Sequence, residues 1–138
     1  ALPKNISAIF QANFDQLDAI SQLLRNTARG YGAEFAYQVD LACSEIVTNI
    51  IKHAYTEHSG ELNVEINTFN NKIEINFHDQ GDVFDINALP EVDLSQPHEG
   101  GYGRYLVKQL MDKVEYTPNT TRGNHWHLLK SLHEEDIT

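Results

Sequence analysis

The sequence predicts an α+β fold, a two-layer α/β sandwich in which a mixed, mostly antiparallel sheet carries all its helices on one face. Segments with an apolar repeat of two residues alternate along the chain with segments whose apolar repeat is helical. Most strand candidates stand next to each other, separated only by turn residues, so hairpins dominate the pairing. The 138 residues, 41% of them hydrophobic, suffice for one domain with its own core, and no repeat or low-complexity stretch divides them.

The predicted order is β-α-α-β-β-loop-α-β-β. Ile6, Ala8 and Phe10 alternate and give a first, edge strand. Asn13 or Asp15 caps the helix that follows. Leu17, Ile20, Leu23, Leu24 and Ala28 recur along it at helical spacing, and Gly30 and Gly32 end it. Phe35 leads into a central helix that stops near His58-Ser59-Gly60. Leu62, Val64 and Ile66 face one way in the next strand, Ile73, Ile75 and Phe77 in its partner, with the hairpin turn at Phe69-Asn70-Asn71-Lys72.

Asp82 to Glu99 holds Pro90, Pro97 and five acidic residues. It reads as a long loop with at most a helical turn near Ile86 to Leu89, and loops of that length are usually functional or mobile. Gly100-Gly101-Tyr102-Gly103 precedes a helix from about Arg104, with Leu106, Val107, Leu110 and Met111 on its core face. Val114 to Thr117 is a strand, Pro118 to Gly123 a turn, and His125 to Leu132 the last strand.

The central helix carries the first functional signal. At roughly 100° per residue, Val39, Cys43, Ile46, Val47, Ile50, Ile51 and Ala54 share one arc. Glu45, Asn49, Lys52 and His53 form a second arc at its border, as on a helix that walls a ligand pocket. Asp79-Gln80-Gly81 closes a strand, and a carboxylate there can accept a hydrogen bond from an exocyclic amine while Gly81 lets a flat ring approach the backbone. The glycine cluster before the third helix suits an anion, because free N–H groups point out of a helix start. Each segment alone also reads as ordinary structure: an amphipathic helix, an Asp-x-Gly turn and a glycine-rich start of a helix.

Composition narrows the classes further. The formal net charge of -10 argues against broad nucleic-acid binding and suits a basic protein partner. Cys43 is the single cysteine, so no intrachain disulfide framework exists. No signal peptide or bilayer-spanning apolar run is apparent, and a cytoplasmic protein off the membrane is the expectation. His125 and His127 share one side of a strand, yet no third ligand stands out for a metal.

Taken together, the three segments resemble the motifs of the GHKL (gyrase/Hsp90/histidine kinase/MutL) ATPase superfamily. Glu45 to Tyr55 resembles its N-box, His78 to Asp85 its first glycine box, and Gly100 to Asp112 its second. Within it the chain looks most like the anti-sigma factor kinases, serine-protein kinases of partner-switching systems. The resemblance implies the Bergerat ATP-binding fold, ATP and Mg²⁺ as cofactors, and a homodimer. It implies a sigma factor and an anti-anti-sigma (STAS-type) protein as partners, the latter phosphorylated on serine or threonine.

By position it makes Glu45 the general base and Asn49 the Mg²⁺ ligand, with Lys52 and His53 beside the nucleotide. Asp79 would read the adenine amine with Gly81 beneath the ring. Gly101, Tyr102, Gly103 and Arg104 would line the phosphates, and Asn124 would support the adenine contact. Three residues depart from the pattern. Asn124 follows Gly123 where Thr is common, Glu99 stands where some members have a base, and Arg104 replaces an apolar residue. The alternative is a non-catalytic ATP-binding regulatory module, possibly part of a larger phosphatase or sensor.

Overall fold

The computed structural model describes residues 3–55, 60–83 and 103–133. Along them run β1 (Lys4–Gln11), α1 (Leu17–Ala28), α2 (Ala33–Asn49), β2 (Glu61–Thr68), β3 (Lys72–Asp79), α3 (Gly103–Leu110), β4 (Lys113–Thr120) and β5 (Gly123–Ser131). The order matches the one the apolar periodicity predicts. The expected loop turn at Ile86 to Leu89, Glu99 and the first three glycine-cluster positions, 100–102, lie outside the described residues.

The five strands form one sheet in the order β1-β2-β3-β5-β4, and all four pairings are antiparallel. A mixed sheet was the expectation, and the topology corrects it. β3 and β4 do run the same way, but the β4–β5 hairpin folds β5 into the space between them. The one parallel relation the helical crossover creates therefore never becomes a ladder.

Strand alternation sets the two faces. Leu62, Val64 and Ile66, then Ile73, Ile75 and Phe77, then Trp126 and Leu128 are buried in a single core shared with the three helices. Each such side chain contributes roughly 1.5–3 kcal/mol by leaving water. The opposite face is polar, with Glu65, Asn76 and His127 in one row and Asn63, His78 and His125 in the next.

α2 is the middle of the helical layer, packed between α1 and α3. All seven residues of its predicted apolar arc are buried. Cys43 among them is fully enclosed, and burial pushes its thiol far above the usual range, with the Asp40 charge adding to the effect. The helix does not run to position 60. Its hydrogen bonding widens into a π-turn over Ile50–Ala54, and Tyr55 leaves helical geometry with φ -115°. The Tyr55 hydroxyl explains the early exit: it donates to the Glu61 carbonyl (2.8 Å) and accepts from the Gln80 N–H (2.7 Å).

Other boundaries shift for local reasons. Asn13 takes the extended conformation of a cap, but its side chain makes no capping bond, because a 3₁₀ turn over Phe14–Gln16 intervenes and contains Asp15. The Asn13 backbone carbonyl accepts from Gln16 instead (3.1 Å). Gly32 supplies the break between α1 and α2 with φ 112°, whereas Gly30 lies inside a second 3₁₀ turn. β4 extends past Thr117 through Pro118 and Asn119, with a register irregularity between Thr117 and Thr120. An edge strand tolerates this, since the missing proline N–H costs no ladder bond.

One polar group joins two helices. Asp40, 6% exposed, accepts from Ser21 (2.7 Å), Ser44 (3.1 Å) and the Arg25 Nε (2.6 Å), and so ties α2 to α1. Replacing it by alanine leaves two hydroxyls and a guanidinium without their acceptor. The expected result for Asp40→Ala is a loss of about 2–3 kcal/mol in urea unfolding, smaller than for a fully buried pair because Arg25 is half exposed.

Candidate functional site

The sequence places Asp79 and Gly81 next to one another and Asn124 far from both; the sheet brings the three together. Asp79 ends β3 and is opposite Asn124, the second residue of β5. Both point into the core side, at 1% and 3% exposure. Asp79 Oδ1 accepts from the Gly81 N–H (3.0 Å) and from Asn124 Nδ2 (3.0 Å). Its Oδ2 takes no hydrogen bond among the described residues. Burial pushes the Asp79 carboxyl above its ordinary range, and the Asn124 and Gly81 hydrogen bonds pull it back. A buried carboxylate with one oxygen satisfied and one open is an acceptor waiting for a donor.

Gly81 is also constrained by packing: a Cβ there would lie 2.3 Å from the Ala54 carbonyl oxygen, so contact with the end of the π-turn needs the bare backbone. The next N–H, Asp82, donates to that same carbonyl (2.7 Å). Asn124 Nδ2 also reaches the carbonyls of Gly81 (3.0 Å) and Asp82 (3.4 Å). The end of α2, the end of β3 and the start of β5 are thus one hydrogen-bonded junction.

From this junction α2 runs back through His53, Lys52, Asn49 and Glu45. Glu45 and Asn49 are half-buried and one turn apart; Lys52 and His53 are exposed on the π-turn. π-turns inside helices recur at functional sites because they re-aim the side chains that follow. α3 packs against α2 through buried Val107 and is followed by buried Met111, which sets Gly103 and the Arg104 backbone at the start of a helix lying beside α2. Gly101 and Tyr102 lie outside the described residues. Two clefts lined by described residues, of about 250 and 220 Å³, contain neither Glu45, Asn49 nor Asp79.

Sequence reasoning did not single out Tyr55 or Asn119. Tyr55 stitches Gln80, next to Asp79, to the start of β2. Asn119 adopts the left-handed conformation (φ 57°) and turns its N–H onto Asn124 Oδ1 (3.1 Å). An Asn in a predicted turn two residues before a Thr-Arg-Gly run was the available signal.

The histidines of the open face are engaged with one another and with amides and acids. His78 stacks on His125 with centroids 4.3 Å apart, His125 Nε2 meets Asn76 Oδ1 (2.7 Å), and His127 Nε2 meets Glu74 (3.0 Å). No cluster of three or more metal-ligating side chains occurs among the described residues.

Comparison with known proteins shows what the chain is similar to. The model of the histidine kinase-like ATPase domain family matches residues 10–129. A serine-protein kinase RsbW from Bacillus licheniformis is 36% identical, the match covering 67% of each chain. The RsbW kinase of Oceanobacillus iheyensis is 32% identical over 78% of this chain and 73% of its own. That of Bacillus subtilis is 33% identical, again over 67% of both. Among solved structures, the histidine kinase domain of a blue-light activated histidine kinase from Erythrobacter litoralis superposes with a TM-score of 0.58 at 18% identity, over 89% of this chain and 62% of that one.

The geometry makes two expectations concrete. Gly81→Ala must separate the α2–β3 contact, so ATP affinity should fall at least about tenfold in calorimetry, with less effect on overall unfolding. The second concerns acid. Burial and the neighbouring His125 and Arg122 hold the His78 pKa down at about 4. The unfolded chain takes up that proton near 6.5, so stability is full above that pH and declines as pH falls toward 4. Urea unfolding at pH 7 and pH 4.5 should show a decline that is shallower in His78→Gln, by on the order of 1–2 kcal/mol.

Proposed function

The chain belongs to the family of histidine kinase-like ATPase domains, and from that premise we propose that it is an ATP-dependent anti-sigma factor. In this reading it phosphorylates a serine or threonine of an anti-anti-sigma (STAS-type) protein. The observation that carries the nucleotide part is the open Oδ2 of Asp79, an acceptor held 1% exposed against two donors on its other oxygen. It suits the exocyclic amine of adenine. The kinase part is supported by relatives named serine-protein kinases, whose length this chain spans by about two thirds or more.

Within that reading each residue has a task. Glu45 accepts the proton of the substrate hydroxyl. Asn49, one turn on, offers its neutral amide oxygen to Mg²⁺. The bound metal supplies charge neutralisation at the transferred phosphoryl group, and the protein's own work is positioning. Lys52 and His53, exposed on the π-turn, attend the nucleotide edge, and Gly103 and Arg104 at the start of α3 attend the phosphates, as do Gly101 and Tyr102, which lie outside the described residues. The substrate protein and a sigma factor share the chain as partners, and the working unit is a homodimer in the cytoplasm. No helix among the described residues is long and apolar enough to cross a membrane.

The test is phosphoryl transfer. With labelled ATP, Mg²⁺ and the antagonist protein, Glu45→Gln should transfer at least about a hundredfold more slowly than wild type while binding ATP within a few-fold. Equal transfer by the two proteins overturns the assignment of the base. Tight ATP binding by wild type without any transfer favours a regulatory module instead.

A further inference from the structure

We propose that Lys130 is a positioning residue for the phosphate end of the nucleotide: it fastens the last turn of α3 to the sheet and so fixes where the start of that helix stands. The inference rests on the nucleotide reading above and deepens it, by naming a residue outside the junction on which phosphate binding depends.

Strand alternation makes Lys130 an anomaly. Asn124, Trp126, Leu128 and Lys130 are the buried positions of β5, so the lysine, 8% exposed, carries its ammonium to the core side. Six residues of strand, roughly 20 Å, separate it from Asn124. Nζ donates to the Leu110 carbonyl (2.7 Å), at the last residue of α3, and stands over the Phe35 ring, 5.2 Å from its centroid. Phe35 is buried in the first turn of α2. None of the ion pairs among the described residues includes Lys130. A buried ammonium held by one carbonyl and one ring carries a desolvation cost that an apolar side chain of the same length would not. Stability alone does not account for it; what the ammonium adds is direction.

The carbonyls of a helix's last turn have no partner within the helix, and a cation there meets the negative end of its dipole. Here that bond ties α3 to β5, and the ring contact ties both to α2. The corner that follows is fastened to the same strand. The Asp112 N–H donates to the Leu129 carbonyl (2.9 Å), and the Ser131 N–H donates to Asp112 Oδ2 (2.7 Å). All these attachments lie at the C-terminal end of α3. Gly103 and the Arg104 backbone stand at the other end, about 12 Å away for a helix of 8 residues. Buried Val107 packs α3 on α2 between the two ends, but an apolar contact permits sliding and rotation that a directed bond does not. A rigid rod released at its anchored end shifts at its free end. Displacements of about 1 Å suffice to spoil the placing of a reacting group.

The signature of such a role is a ratio rather than an affinity. Lys130→Met keeps the length of the side chain and removes the ammonium; Lys130→Arg keeps a cation and a donor. Dissociation constants for ATP and for adenosine, which shares the base and lacks the phosphates, should be measured for wild type and both variants, with urea unfolding alongside. In Lys130→Met the constant for ATP should rise at least about tenfold and that for adenosine by less than about twofold. Lys130→Arg should recover most of the lost ATP affinity. Lys130→Gln, a shorter neutral donor, should fall between wild type and methionine, and it supplies the comparison if the methionine variant does not fold. A generally loosened fold weakens both ligands together. Equal weakening of ATP and adenosine, or unchanged ATP affinity in the folded variants, would therefore overturn the inference and leave Lys130 a structural residue. Failure of wild type to bind ATP would instead overturn the nucleotide reading, and this inference with it.

Discussion

The Ala54 carbonyl accepts from the Asp82 N–H and lies against Gly81, and on that contact the rest of the site depends. It fixes where α2 stops relative to where β3 stops. With the Tyr55 hydroxyl bonds, it holds the spacing between the half-buried Glu45 and Asn49 on one element and Asp79 on another. The π-turn that delivers Ala54 to this place is a departure from regular helix at the border of the functional arc. Tyr55 then anchors the departure from the far side, by bonding both β2 and the residue after Asp79.

The layer beneath is built to make that contact rigid. α2 is buried along its length by the sheet and by both neighbouring helices, and the Asp40 cluster stops it sliding along α1. Hydrophobic burial supplies most of the stabilisation, at roughly 1.5–3 kcal/mol for each large buried side chain. Polar bonds of about 1 kcal/mol each decide position more than stability. The antiparallel sheet contributes in the same sense. Because β5 pairs directly with β3, the residue that supports Asp79 comes from the neighbouring strand rather than from a loop.

The sequence was most legible where one physical signal dominates. Strand alternation placed β2, β3 and β5 and their buried faces, and helical spacing placed α1, α2 and α3, since burial decides these patterns. The family motifs in Glu45 to Tyr55 and around Asp79 were legible because their residue types and order are specific, and the family match bears out the resemblance. Boundaries were not, because they rest on single contacts: the Tyr55 hydroxyl ends α2 early, and a 3₁₀ turn displaces the cap expected at Asn13. Nor was the packing of Gly81 against Ala54, since a glycine in close backbone contact looks in sequence like any other. The all-antiparallel sheet required knowing that β5 inserts between β3 and β4, a long-range fact that no local pattern carries.

Cys43 lies in the core rather than at the junction, and its setting makes it an internal gauge. It is wholly enclosed at the centre of α2, and burial disfavours its thiolate, so a thiol-modifying reagent reaches it only when α2 lifts from its neighbours. As the single sulfhydryl in the sequence, it gives one unambiguous labelling rate. That rate counts openings of the helix bearing Glu45 and Asn49, and so reads out how firmly the helical layer holds them in place.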